Sequence, residues 1–185
     1  MSDDFDQLLH TMRKAAAVLR EAEIPFALAG GLAVWARGGP RTEHDVDFLV
    51  KPDDADRALE VLVGAGMRGE RPDEGWLLKA WDDGQMIDLI FDPAGGPIDD
   101  DWLDRAELIE VYATTMPVAS LEDVLVTRLM ALNEQYLDYS GVLEMARAVR
   151  EQIDWEEVRA RTEGSPFAAA FFTLTERLEV IEPSG

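Results

Sequence analysis

With 185 residues, 47% of them hydrophobic and including five Trp and seven Phe, the chain is long and apolar enough to bury a core, and no apolar run approaches a bilayer span. Thirty-eight acidic residues against seventeen basic give a net charge of −21, and the scattered Lys and Arg make no basic stripe for long nucleic acid. The absence of cysteine excludes disulfides and thiolate metal sites, while the acidic start MSDDFDQLLH lacks a signal-peptide pattern, so the expected location is the cytoplasm.

In chain order, Phe5, Leu8, Leu9, Met12, Ala16 and Leu19 predict an amphipathic helix over 5–22. A short apolar run, 24–29, reads as a buried strand, and Gly30-Gly31 turns the chain into a helical segment over 32–37 that Gly38-Gly39-Pro40 ends. Residues 45–50 alternate as a strand does, and Pro52-Asp53-Asp54 opens a helix to about Val63. Two strands, 76–81 and 85–91, are joined at Asp82-Asp83-Gly84, a strong hairpin signal. A further strand is expected at 108–112 or at 116–118. From Ser120 the pattern is helical throughout. Ser120 with Asp123 makes a capping-box-like start, with Asp in place of the usual Glu or Gln. Three apolar stripes follow: Leu121, Val124, Leu125, Leu129 and Leu132; Val142, Leu143, Ala146 and Val149; and Phe167, Phe171, Leu174 and Leu178. The expected architecture is α+β, a small mixed sheet flanked by helices over 1–118, followed by a C-terminal helical bundle over 119–185 with the joint near 116–119.

The chemistry concentrates between residues 26 and 50. Side chains two apart on a strand share a face, so Asp45 and Asp47 project side by side. Held together, two anions raise each other's pKa unless a cation sits between them, and a hard divalent ion such as Mg²⁺ suits carboxylate and phosphate oxygens. Asp88 lies within the apolar strand Met86-Ile87-Asp88-Leu89-Ile90-Phe91, where a lone carboxylate is costly to bury. A third carboxylate beside the pair completes a two-metal site of the kind that serves phosphoryl displacement. Gly30-Gly31 allows a ligand close to the backbone. The bland alternatives are surface acids on an edge strand and a plain strand-to-helix turn.

Gly30-Gly31, a spacer over 32–44, Asp45-Val46-Asp47 and the later Asp88 together resemble the DNA polymerase β-type nucleotidyltransferase superfamily. Within it, the runs VASLEDVL at 118–125 and TRLMAL at 127–132 resemble bacterial minimal nucleotidyltransferases of the AbiEii toxin type, and RTEHD at 41–45 is similar to lincosamide and aminoglycoside nucleotidyltransferases. The resemblance covers about residues 24 to 150. It implies that Asp45, Asp47 and Asp88 bind two Mg²⁺ ions, that Asp88 also helps deprotonate the acceptor, and that Gly30 and Gly31 hold the terminal phosphates of an NTP. Arg128 matches a family lysine that reaches the triphosphate. Arg41 and Lys79 are further phosphate candidates, each with a solvated surface role as the alternative. His44 reads as structural, and Asp138 as a loose match that a helix cap explains equally well. The implied reaction moves a nucleotide monophosphate to an acceptor (a tRNA end, a protein hydroxyl or a small drug) and releases pyrophosphate. The AbiEii-type likeness extends this reading to a toxin-like member of a toxin–antitoxin pair, with an antitoxin protein as partner; a non-catalytic binding or toxin–antitoxin partner of the same fold and an unrelated α/β binding domain are the competing expectations.

Overall fold

The computed structural model describes residues 2–42 and 45–182. Helix α1 (Ser2–Glu21) buries Phe5, Leu8, Leu9, Met12, Ala15, Ala16 and Leu19. It stops where Glu23 takes φ +55° and Ile24 N–H donates back to Leu19 O at 3.0 Å, a left-handed cap made without glycine. Then follow β1 (Phe26–Leu28), α2 (Gly30–Ala36), β2 (Asp45–Val50) and α3 (Pro52–Gly64). Pro52 begins α3, where its missing N–H costs nothing, and Asp53 and Asp54 in the first turn complement the helix dipole.

Strands β3 (Arg68–Glu70), β4 (Leu77–Asp82) and β5 (Gln85–Ile90) come next, then α4 (Asp100–Asp104), β6 (Glu107–Val111) and β7 (Thr114–Val118). The helices α5 (Leu121–Met130), α6 (Ser140–Val149), α7 (Trp155–Arg161) and α8 (Pro166–Arg177) end the chain, with a 3-10 turn at Arg150–Gln152. The seven strands form one mixed sheet in the order β3-β4-β5-β2-β1-β7-β6. The α+β expectation holds, and the C-terminal helices are present.

Several local expectations are corrected. The two alternatives for a late strand both form, as the hairpin β6–β7, because Tyr112 and Ala113 both accept positive φ (+48° and +58°) in a two-residue turn. The edge strand β3 and the short helices α4 and α7 carry too few apolar residues to announce themselves by period. The third stripe is rotated: α8 buries Ala168, Phe171, Phe172 and Thr175, and leaves Leu178 exposed. Ser120 does cap α5, its Oγ accepting from Asp123 N–H at 3.0 Å, but the Asp123 carboxylate turns inward and makes no capping box.

The register sorts side chains into two faces. Asp82 accepts from Thr11 at 3.3 Å and Lys14 at 2.5 Å on α1, so the face shared with Ala80, Ile87, Val46 and Phe48 lies under α1 and α3. The opposite face carries Asp45, Asp47, Asp88 and Lys79. There α2 packs on β2 and α5 packs on α2, while Lys79, Trp81 and Met86 keep partial exposure. One hydrophobic core runs from Phe5 to Ile181 through both the sheet and the helical region.

Asp123 pins the two regions together. Its side chain is 0% exposed and accepts from Arg105 Nη2 at 2.9 Å and Arg161 Nη2 at 2.5 Å. Both guanidinium groups also lie over Trp102, 5.3 and 5.2 Å from its ring centroid. Removing one partner of a buried ion cluster leaves uncompensated charge. Asp123→Ala is therefore expected to lower unfolding stability by about 3–5 kcal/mol, read from urea midpoints at constant slope.

Candidate active site

The site is built by strand register. In the parallel pair β2–β5, Asp47 stands opposite Asp88, and in the antiparallel pair β4–β5, Asp88 stands opposite Lys79. Asp45 lies two residues before Asp47 on the same face. The three carboxylates each offer an oxygen within 4.8 Å of the others. This row follows from the Asp83-Gly84 turn, whose φ values of +47° and +90° fix the two-residue hairpin and pair Asp82 with Gln85.

Gly30 makes room for Asp47. Ala29 N–H donates to Asp47 O at 2.8 Å, bringing the start of α2 against β2. Gly30 has φ +57°, and a Cβ there would lie 1.7 Å from Asp47 Oδ2. Gly31 is crowded as well, since its Cβ would meet the Thr42 side chain at 2.6 Å. The glycine pair is thus fitted around the carboxylate and the incoming loop, and it leaves the backbone bare beside the cluster.

The charge at this point is under-compensated. Burial first, then Asp45 and Asp88, pushes the Asp47 carboxyl up to about 7, against the pull of Arg128 and Lys79. Asp88, 7% exposed, is raised chiefly by burial, although Lys79 Nζ donates to its Oδ1 at 2.8 Å and pulls the other way. Three convergent carboxylates with surplus negative charge are the donor set that suits a hard divalent cation, so these residues fit Mg²⁺.

The other named residues separate. Lys79 joins the cluster, its side chain 19% exposed, so its solvated surface alternative is set aside. Arg128, half-buried on α5, acts electrostatically on Asp47 and sits near the start of α6, where a Cβ on Gly141 would lie 3.8 Å from its Nη1. Asp123, five residues earlier on the same helix, is engaged by Arg105 and Arg161. Arg41 is exposed and stacks over Phe5, 5.0 Å from the ring centroid. Asp138 Oδ1 accepts from Ser140 N–H at 2.9 Å and from the Ser140 hydroxyl, closing a turn just ahead of α6, whose N-cap residue is Tyr139. His44 lies outside the described residues.

Two neighbours went unnoticed in the sequence. Glu74 bears electrostatically on Asp88, and Glu70, opposite Lys79, accepts from Trp81 Nε1 at 3.0 Å and Arg68 Nη1 at 3.1 Å. Both belong to a polar stretch without periodicity.

A family described as uncharacterised nucleotidyltransferase matches residues 4–178. No curated protein matches the sequence significantly. The antibiotic-resistance factor ANT(2″)-Ia is similar in two structures. Its solution structure aligns at TM-score 0.62 and 18% identity, covering 95% of this chain and 96% of that one. Its complex with adenylyl-2″-tobramycin aligns at 0.62 and 15%, covering 90% and 97%. A Thermotoga maritima protein described as a nucleotidyltransferase aligns at 0.53 and 19%, covering 79% and 92%. The lincosamide antibiotic adenylyltransferase LnuA, with lincomycin bound, aligns at 0.50 and 13%, covering 79% and 92%. At such identities the likeness is one of fold.

The raised carboxyl has a consequence for stability. The unfolded chain releases the Asp47 proton near 3.8, while the folded chain keeps it to about 7. Across that window the folded state binds more protons, so rising pH favours unfolding. In EDTA, the melting temperature is expected to fall from pH 5 to pH 7.5. Asp47→Asn should flatten that slope and melt higher at pH 7.5; an unaltered slope in parallel melting curves would mean that Asp47 carries no such strain.

Proposed function

The chain belongs to the uncharacterised nucleotidyltransferase family, and from that premise we propose that it moves a nucleotide monophosphate from an NTP to a hydroxyl of a cationic small molecule. The observation that carries this reading is the convergence of Asp45, Asp47 and Asp88 beside Gly30, on a face partly open to solvent. Asp45, Asp47 and Asp88 would hold two Mg²⁺ ions. Bound Mg²⁺ would supply charge neutralisation at the phosphates and a more acidic acceptor hydroxyl. Gly30 and Gly31 let the terminal phosphates approach the backbone, and Arg128 and Lys79 supply positive charge toward them. Arg41 is the more distant phosphate candidate, reached only if it leaves Phe5.

Asp88, on the same sheet face as Asp45 and Asp47, is the carboxylate we assign to accept the proton of the attacking hydroxyl. The acceptor oxygen forms a bond to the α-phosphorus, the bond from that phosphorus to the pyrophosphate oxygen breaks, and pyrophosphate leaves. The helical region from residue 119 is the proposed opposite wall of the nucleotide cleft, with Arg128 on it.

Glu70 and Glu74 near Lys79 and Asp88, together with the net charge of −21, support a cationic acceptor over a tRNA end. ANT(2″)-Ia with adenylyl-2″-tobramycin and LnuA with lincomycin are fold neighbours that handle small drugs, which agrees with this choice. A toxin-like role with an antitoxin partner rests on the AbiEii-type likeness of residues 118–132 alone.

Each labelled NTP, with Mg²⁺, is to be incubated with a panel of amino-bearing small alcohols, bulk tRNA and a cell lysate. Label on an amino alcohol, with pyrophosphate released, is the expected result; label confined to RNA or to a protein would refute the acceptor. Asp47→Asn should cut transfer by about 100- to 1000-fold or more while the fold survives. Arg128→Ala should raise the KM for NTP about ten-fold or more, the value of a charged hydrogen bond. Unchanged KM and kcat would return Arg128 to a structural role.

A further inference from the structure

We propose that Lys79 is a built-in counter-cation of Asp88 that makes uptake of a divalent ion at this carboxylate depend on bound nucleotide. The inference rests on reading the three carboxylates as a metal site. Lys79 and Asp88 are direct cross-strand partners on one face, so the pairing is fixed by register and does not rely on a wandering surface lysine. Lys79 Nζ lies 2.8 Å from Asp88 Oδ1, and the two side chains are 19% and 10% exposed.

The acid on the other side of Lys79 is engaged elsewhere. Glu70 stands opposite Lys79 on β3, yet its Oε2 already accepts from Trp81 Nε1 at 3.0 Å and Arg68 Nη1 at 3.1 Å. The second contact of the ammonium is the Met86 sulfur at 3.4 Å, a weak acceptor. Among the described residues, Lys79 therefore has one strong bond, to Asp88, and a second that a phosphate oxygen would improve upon.

A divalent ion using Asp88 meets this positive charge one hydrogen bond away from the carboxylate. A triphosphate changes the balance, because it brings several negative charges and better acceptors for the ammonium. Lys79 then turns from Asp88 to phosphate, and both Asp88 oxygens become available together. Charge enters the site with the substrate instead of ahead of it.

The test reads metal binding and needs no turnover. Mn²⁺ binding to the whole chain is measured at pH 8 by the electron paramagnetic resonance signal of free Mn²⁺, with and without α,β-methylene triphosphates, each titration set against the same nucleotide without protein. Lys79→Met should bind Mn²⁺ about ten-fold or more tightly than the parent without nucleotide, as expected for removing a unit charge a few ångströms from a divalent ion. Lys79→Arg, which keeps the charge, should behave like the parent. The nucleotide analogue should tighten Mn²⁺ strongly in the parent and far less in Lys79→Met. Should Lys79→Met melt too low to titrate, Lys79→Gln carries the same expectation. Equal Mn²⁺ affinity in the parent and the neutral variant would overturn the role of Lys79 alone, provided that Asp47→Asn still weakens binding. Failure of the parent to bind Mn²⁺, with or without nucleotide, would overturn the metal-site reading as well.

Discussion

Three carboxylates with oxygens inside 4.8 Å of one another would move apart if they were free to do so. Here they are not, because each is carried by a strand whose position is fixed on both sides. β2 is held by β1 and β5, and β5 by β2 and β4. The apolar layer under α1 and α3, with Val46, Phe48, Ile87 and Leu89 all buried, anchors the backs of the same strands. The burial energy of that layer holds the repulsion in place. What surrounds the cluster then follows from its charge: Lys79 from one side, Arg128 from the helical region, and a bare glycine backbone between.

The helical region is tied to the sheet by charge as well as by grease. Asp123 gathers Arg105 from the end of α4 and Arg161 from α7 around Trp102. Arg37, just past α2, donates to the carbonyls of Val118 and Ala119 at 3.3 and 3.2 Å, while its own carbonyl accepts from Gln152. The place where β7 gives way to α5 is thus clamped from two directions. Arg128 departs from the same short helix that carries Asp123, so its distance to the carboxylates is set by these clamps.

How much of this was legible depended on whether a residue's role was written locally. Asp45 and Asp47 two apart, Asp88 alone in an apolar run and Gly30-Gly31 ahead of a helix are each readable from a few neighbouring letters. The Lys79–Asp88 pair was almost as readable: once Asp83-Gly84 is taken as a two-residue turn, counting outward from Asp82 and Gln85 puts Lys79 opposite Asp88. Glu70 and Glu74 were not, since β3 is three residues long, its placement beside β4 is decided by packing under α3, and Glu74 lies in the loop that follows it. The inward turn of Asp123 was hidden for a similar reason. Its partners lie 18 residues before it and 38 after, and a capping signal at Ser120 offered a sufficient local explanation.

Gly30 shows how two positions can be bound into a single unit of inheritance. The space that a side chain at position 30 would need is the space that Asp47 Oδ2 fills. A change at residue 30 alone is therefore a lesion of the carboxylate cluster, although residue 30 has no ionisable group. Tolerance of a larger residue at 30 would require a smaller or displaced one at 47, and with it the loss of that oxygen from its place in the cluster. In any chain sharing this strand-to-helix turn, a side chain at the first glycine thus displaces the second aspartate from its place in the cluster.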